Sequence, residues 1–107
     1  MPKVLSKEQR LSRSSDFKST VRMGTRKKAG NFVLYRAQVA GGDTKVGFIV
    51  GKDVGNAVAR HRLSRQLRHI VRQLPPAPAG TNSVVRCLPG ASKSTFQEMQ
   101  RSLASIW

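Results

Sequence analysis

A protein that cuts a phosphodiester needs groups that converge, either carboxylates gathered on a metal or an acid–base pair of side chains. This sequence has those residue types without the spacing. Glu8, Asp16, Asp43, Asp53 and Glu98 are scattered along the chain. Asp16 is placed to cap a helix and Asp43 to sit in a turn. His61 and His69 fall on one predicted helix, about 12 Å apart along its axis, so they cannot flank one phosphate. Each is better suited to hydrogen bonding or stacking. Cys87 is the only cysteine, with no evident base beside it, and is expected to be a small buried apolar residue. A lone thiol makes no internal disulfide and fits a reducing cytoplasm. No stretch has zinc-ligand spacing. No catalytic and no metal-binding residue is therefore expected in this chain.

Positive charge is abundant instead. Twenty Lys and Arg oppose five Asp and Glu, a net +15 over 107 residues. Self-repulsion of that size is usually tolerated for a polyanionic partner, nucleic acid first and an anionic membrane surface second. The charge concentrates in KDVGNAVARHRLSRQLRHIV, Lys52 to Val71, where no acid follows Asp53. At about 100° per residue, Ala59, Leu63, Leu67, Ile70 and Leu74 form one stripe, with Val71 just beyond. Arg65, Arg68, Arg72 and both histidines fall opposite, and Arg60 and Arg62 lie near the edges. Such a run usually marks a solvated helix face. Two features favour phosphate binding: no carboxylate neutralises the face, and every cation on the helix is arginine, which bonds phosphate bidentately. Asn56 is a good N-cap after Gly55, and the exposed N–H groups of that first turn could also accept a phosphate.

The elements that must position this helix follow from pattern. SSDFKSTVRMG reads as a short helix capped by Ser14, Ser15 or Asp16 and ended by Gly24, with Phe17 and Val21 on one face. TRKKAG is a basic loop or short edge strand. NFVLYRAQV is a strand with Val33, Tyr35, Ala37 and Val39 on one face and Phe32, Leu34 and Arg36 on the other. AGGDT carries a hairpin signal, so KVGFIVG is expected to return beside it, centrally in the sheet because it is apolar on both faces. The basic helix spans about Asn56 to Leu74 and is broken by LPPAPAGTNS. SVVRCL is a last strand. STFQEMQRSLASIW is an amphipathic helix with Phe96, Met99, Leu103 and Ile106 inward, capped by Ser94 with Gln97 or Thr95 with Glu98. Residues 1–107 form one domain, a two-layer α/β or α+β sandwich ordered α-β-β-α-β-α, with an extra short strand near Lys27 left open. Phe17 and Tyr35 are the best candidates for an exposed base-stacking surface. No apolar run approaches a membrane span, the helix has no flanking Trp or Phe for a membrane surface, and no secretory signal is evident.

KVGFIVGKDVGNAVARHRLSRQLRHIV resembles the signature region of the bacterial ribonuclease P protein subunit. Lys52, Gly55, Asn56, Ala57, Val58, Arg60, Arg62, Arg65 and Arg68 match it. RLSRSSDFKSTVRMG, FVLY and VVRCLPGA resemble the family's opening, its strand and its late strand with a Pro-Gly turn. The resemblance implies an α+β sandwich ordered α-β-β-β-α-β-α, with a mixed four-stranded sheet and a left-handed βαβ crossover, like the second domain of ribosomal protein S5. It implies a cytoplasmic ribonucleoprotein in which a catalytic RNA, using Mg2+, removes the 5′ leader of precursor tRNA. The protein would bind that RNA and the single-stranded leader, with no tightly bound cofactor and no obligate protein partner. RNA contacts would fall to Lys52, Asn56, Arg60, His61, Arg62, Ser64, Arg65, Arg68 and Arg72. Phe17, Val21 and Tyr35 would line a leader cleft between the basic helix and the sheet. Where the family has Asn, Lys and a second loop Lys, this chain has His61, Ser64 and Asp53, and the last two supply no positive charge. A ribosomal-type RNA-binding protein of related topology is the alternative reading of the residues.

Overall fold

The structure is a computed structural model and describes residues 10–11, 13–39 and 44–107. Glu8, Asp43 and most of the AGGDT segment lie outside the described residues. The elements are α1 (Ser14–Met23), β1 (Thr25–Ala29), β2 (Phe32–Gln38), β3 (Lys45–Ile49), α2 (Ala57–Gln73), β4 (Thr81–Cys87), a 3-10 turn (Ala91–Lys93) and α3 (Phe96–Ile106). They build one mixed four-stranded sheet in the order β1-β2-β4-β3. β1–β2 and β2–β4 are antiparallel, whereas β3–β4 is parallel across the α2 connection.

This order corrects the expected hairpin. β3 does not return beside β2, and it is an outer strand of the four. Both edges of β2 are already filled, by β1 and by a continuous antiparallel register with β4 from Phe32↔Cys87 to Gln38↔Thr81. The true two-residue hairpin lies earlier. Ala29 pairs with Phe32 across Gly30–Asn31, and Gly30 takes φ 56, a conformation that favours glycine. β3 is apolar on both faces because each is covered. Phe48 joins the α2–α3 side, Phe17 of α1 lies against Gly47 on the other, and the outer edge is bridged by Arg10 and Leu11. A Cβ on Gly47 would come within 2.5 Å of the Phe17 ring, so only glycine admits α1 here.

Two clusters sandwich the sheet. Phe32, Leu34 and Val85 meet Leu63, Leu67 and Ile70 of α2 and Met99, Leu103 and Ile106 of α3. On the other face Val33, Tyr35 and Val84 meet Leu11, Phe17 and Val21. The helical periodicity read from sequence is thus realised: Leu63, Leu67, Ile70 and Val71 are the buried residues of α2. α3 begins with a capping box, Thr95 Oγ1 accepting from Glu98 N–H (3.1 Å) and Glu98 Oε1 from Thr95 N–H (2.8 Å). α1 differs from expectation. Its N-cap is Arg13, with no side-chain cap; Ser14, Ser15 and Asp16 are already inside the first turn, beyond the capping position.

A candidate nucleic-acid interface on α2 and the edge of β3

α2 presents its arginines because its leucines are spent on the sheet. Asn56 Oδ1 accepts from Ala59 N–H at 2.8 Å, so its side chain is committed to starting the helix. The first turn contains no acid. His61, Arg62, Arg65, Arg68 and His69 are exposed, and Lys52 is exposed in the turn before the helix. Arg60, Ser64 and Arg72 are half-buried along the flanks.

The structure brings part of the predicted set together. Arg60, His61 and Ser64 line one concavity with Val50 and Ala57. Ser64 and Arg68 line a second with Phe17, Gly47, Phe48 and the Arg10–Leu11 segment. Sharing Ser64, the two form a groove that follows the outer edge of β3 from the start of α2 to α1. The expected cleft between α2 and the sheet is closed by packing; the open groove lies beside the sheet, between the two helices. Phe17 reaches it. Tyr35 does not stand in solvent as expected: it is 7% exposed and lies with Val33 and Val84 in the α1-side cluster, which Val21 packs against. Arg62, Arg65 and Arg72 lie on the helix surface outside the groove-lining set.

His69 is tied to the fold rather than projecting alone. Its Nδ1 is 2.7 Å from Arg72 Nη2, and its ring is tilted against Phe96 of α3 at 5.8 Å between centroids. With Nδ1 accepting from the guanidinium, the ring proton sits on Nε2. The Nε atoms of Arg60 and Arg72 are buried without a hydrogen-bond partner among the described residues. Arg60 lines the groove, where an anionic oxygen would satisfy it.

Another arginine shows what a structural role looks like. Arg36 donates from Nε to Ser83 Oγ (3.1 Å) and from Nη1 to the Trp107 carbonyl, and its guanidinium lies 4.4 Å from the Trp107 ring centroid. Burial lowers its pKa. Trp107 is itself fixed by Nε1–H donation to the Pro75 carbonyl at 2.6 Å. Sequence reading missed this clamp, because its partners are far apart in the chain. Cys87 is buried, as expected, and burial followed by the Asp53 charge pushes its thiol up to about 12. Among the described residues no three His, Cys, Asp or Glu side chains come together. The arrangement can bind phosphate.

The family profile for Ribonuclease P matches residues 5–107. The chain belongs to the ribonuclease P protein family. The ribonuclease P protein component of Rhodococcus opacus (strain B4) is 41% identical over 108 residues, covering 94% of this chain and 86% of the relative. That of Mycobacterium sp. (strain KMS) is 39% identical over 105 residues, covering 95% and 89%. The solved ribonuclease P protein of Staphylococcus aureus superposes with a TM-score of 0.82 at 24% identity, over 92% of this chain and 91% of that one, a likeness of fold. Family membership connects the chain to ribonuclease P and tRNA processing. No helix among the described residues is long and apolar enough to cross a membrane.

Proposed function

We propose that this chain is the RNA-binding protein subunit of a ribonuclease P ribonucleoprotein and assists Mg2+-dependent removal of the 5′ leader from precursor tRNA. The carrying observation is the α2 surface: His61, Arg62, Arg65, Arg68 and His69 exposed, no acid in the first turn, and a groove running from it to Phe17. Phosphates of the catalytic RNA bind the arginines, with Lys52 and Arg72 at the margins. The leader, a single strand, lies along the groove, where a charged wall and Phe17 suit backbone tracking and stacking. Tyr35 and Val21 support that surface from the α1-side cluster. Asn56 contributes by starting α2.

In this reading the RNA holds Mg2+ and makes the cut, and the protein supplies binding. Neutralising phosphates near the cut lowers the repulsion that the metal must otherwise overcome. His61 can still hydrogen-bond and stack where the family has Asn, whereas Ser64 and Asp53 leave two fewer charges on the leader. The complex works in the cytoplasm and needs no further protein. The test is reconstitution with a ribonuclease P RNA and precursor tRNA at low Mg2+. Stimulated cleavage at the mature 5′ end is expected; no stimulation over RNA alone overturns the reading.

A further inference from the structure

Between α2 and β4 the chain reads Leu74-Pro75-Pro76-Ala77-Pro78-Ala79-Gly80. Stopping α2 takes one proline, because a single pyrrolidine ring already blocks the next helical turn. Pro76 and Pro78 go beyond that need, and the basic face of α2 makes no use of them.

Local chemistry sets the shape of this segment. Proline holds its own φ at about −65°, and the residue before a proline is pushed to extended backbone. Every residue from Leu74 to Pro78 is a proline or precedes one. Leu74 has φ −82 and ψ 159, close to polyproline II, and residues 75–78 form no helix or strand. A polyproline II helix has about three residues per turn, so residues three apart share an edge. Exposure follows that period: Leu74, Ala77 and Gly80 are half-buried, whereas Pro75, Pro76, Pro78 and Ala79 are exposed. One edge rests on the protein, with Leu74 packed against the α2–α3 core cluster. The other two edges, Pro75 with Pro78 and Pro76 with Ala79, face solvent. The segment is also tied at both ends. Trp107 Nε1–H donates to the Pro75 carbonyl at 2.6 Å, Gly80 N–H donates to Thr44 Oγ1 at 3.0 Å, and Val39 N–H donates to the Gly80 carbonyl at 2.7 Å. A stiff, anchored segment loses little conformational freedom when a partner docks on it.

We infer that Pro75–Pro78 is a docking ridge for a second protein, one with an aromatic-lined groove and an acidic rim of the kind that reads Pro-x-x-Pro segments in polyproline II form. Such a groove grips two edges of the ligand and leaves the third free, which is the division of edges found in this segment. Charge favours the acidic rim. Arg72 lies three residues before Pro75 in the last turn of α2, the segment has no carboxylate, and the whole chain carries +15. RNA is the poorer occupant, because the ridge carries no cation and its prolines have no N–H to donate to a phosphate. The ridge lies outside both groove-lining sets, so a docked protein leaves the groove open. The partner is thus recruited to the RNA-bound chain without being needed for cleavage.

The simpler account is that the prolines only stiffen a connection by restricting the unfolded chain. The probe that separates the two is a purified Src-homology-3 domain selective for Arg-x-x-Pro-x-x-Pro peptides, titrated into the isotope-labelled full-length protein. The backbone amides of Leu74, Ala77, Ala79 and Gly80 should shift in the NMR spectrum. Calorimetry should give a dissociation constant that Pro76→Ala/Pro78→Ala raises by about tenfold or more. The same variant should bind ribonuclease P RNA and stimulate cleavage as the wild type does, and far-UV circular dichroism checks that it is folded. No binding of the probe by the wild type, or equal binding by the variant, overturns the ridge and leaves the prolines as stiffeners. Weaker RNA binding by the variant also overturns it, by assigning the segment to the RNA interface. Failure of the wild-type protein to stimulate cleavage in reconstitution instead overturns the functional reading, and leaves the titration to judge the ridge by itself.

Discussion

α2 and α3 lie on the same sheet face and use the same packing device. Leu63, Leu67 and Ile70 of α2 and Met99, Leu103 and Ile106 of α3 fill one cluster. Their outer faces differ. The exposed residues of α3 mix Gln97, Glu98, Gln100, Arg101, Ala104 and Ser105, while those of α2 include His61, Arg62, Arg65, Arg68 and His69 without an acid. Their N-termini differ too. Glu98 closes a capping box on α3, whereas α2 has only Asn56 and no carboxylate in its first turn. Packing asks for leucine on one side of each helix and is indifferent to the other side. The unbalanced outer face of α2 is thus a property that folding does not require, and α3 is the control for it.

The comparison breaks first if the inner faces are not equivalent. Leu67 and Leu103 are both 0% exposed, so Leu67→Ala and Leu103→Ala should each cost about 2–5 kcal/mol. Urea unfolding checks this as a lower midpoint at constant slope. A cost confined to one helix would show that the two do not share a core. The caps give a smaller effect. Asn56→Ala and Thr95→Ala should each lose about 1 kcal/mol in the same assay.

The smallest effect concerns pH and belongs to α3 alone. Hydrogen bonds from the Thr95 backbone N–H and then its side chain hold the Glu98 carboxyl below its ordinary pKa. A depressed folded pKa stabilises above the unfolded value and loses that stabilisation as pH falls through the folded one. Stability should therefore show a small Glu98-dependent fall as pH drops through and below the ordinary carboxylate range. Glu98→Gln should flatten that fall, as read from thermal unfolding across acid pH; an identical pH profile would remove Glu98 from the cap.

α2 and α3 were legible because helical periodicity and caps are local. Leu63, Leu67 and Ile70 declare an inner face within one stretch of chain, and Thr95 with Glu98 declares a start. Strand order was not, because β3 joins β4 across the whole of α2. The paired glycines of AGGDT drew attention from the Gly30–Asn31 turn, whose polar first strand, TRKKA, hides among charges as an outer strand does. Tyr35 looked available for stacking because its strand alternates, yet helices cover both faces of β2 near it. The arginines of α2 were visible as a set. Which of them share a groove with Phe17 depended on where α1 crosses β3, and Gly47 marks that crossing only once the fold is known.

The most direct measurement is the salt dependence of binding between the full-length protein and a ribonuclease P RNA, compared across the two helices. Arg65→Ala/Arg68→Ala on α2 should make the log–log slope shallower by about 1.8, two contacts at roughly 0.9 each, and Arg101→Ala on α3 should leave it unchanged. An unchanged slope for the α2 variant, or a comparable change for Arg101→Ala, would contradict the assignment of RNA binding to the outer face of α2.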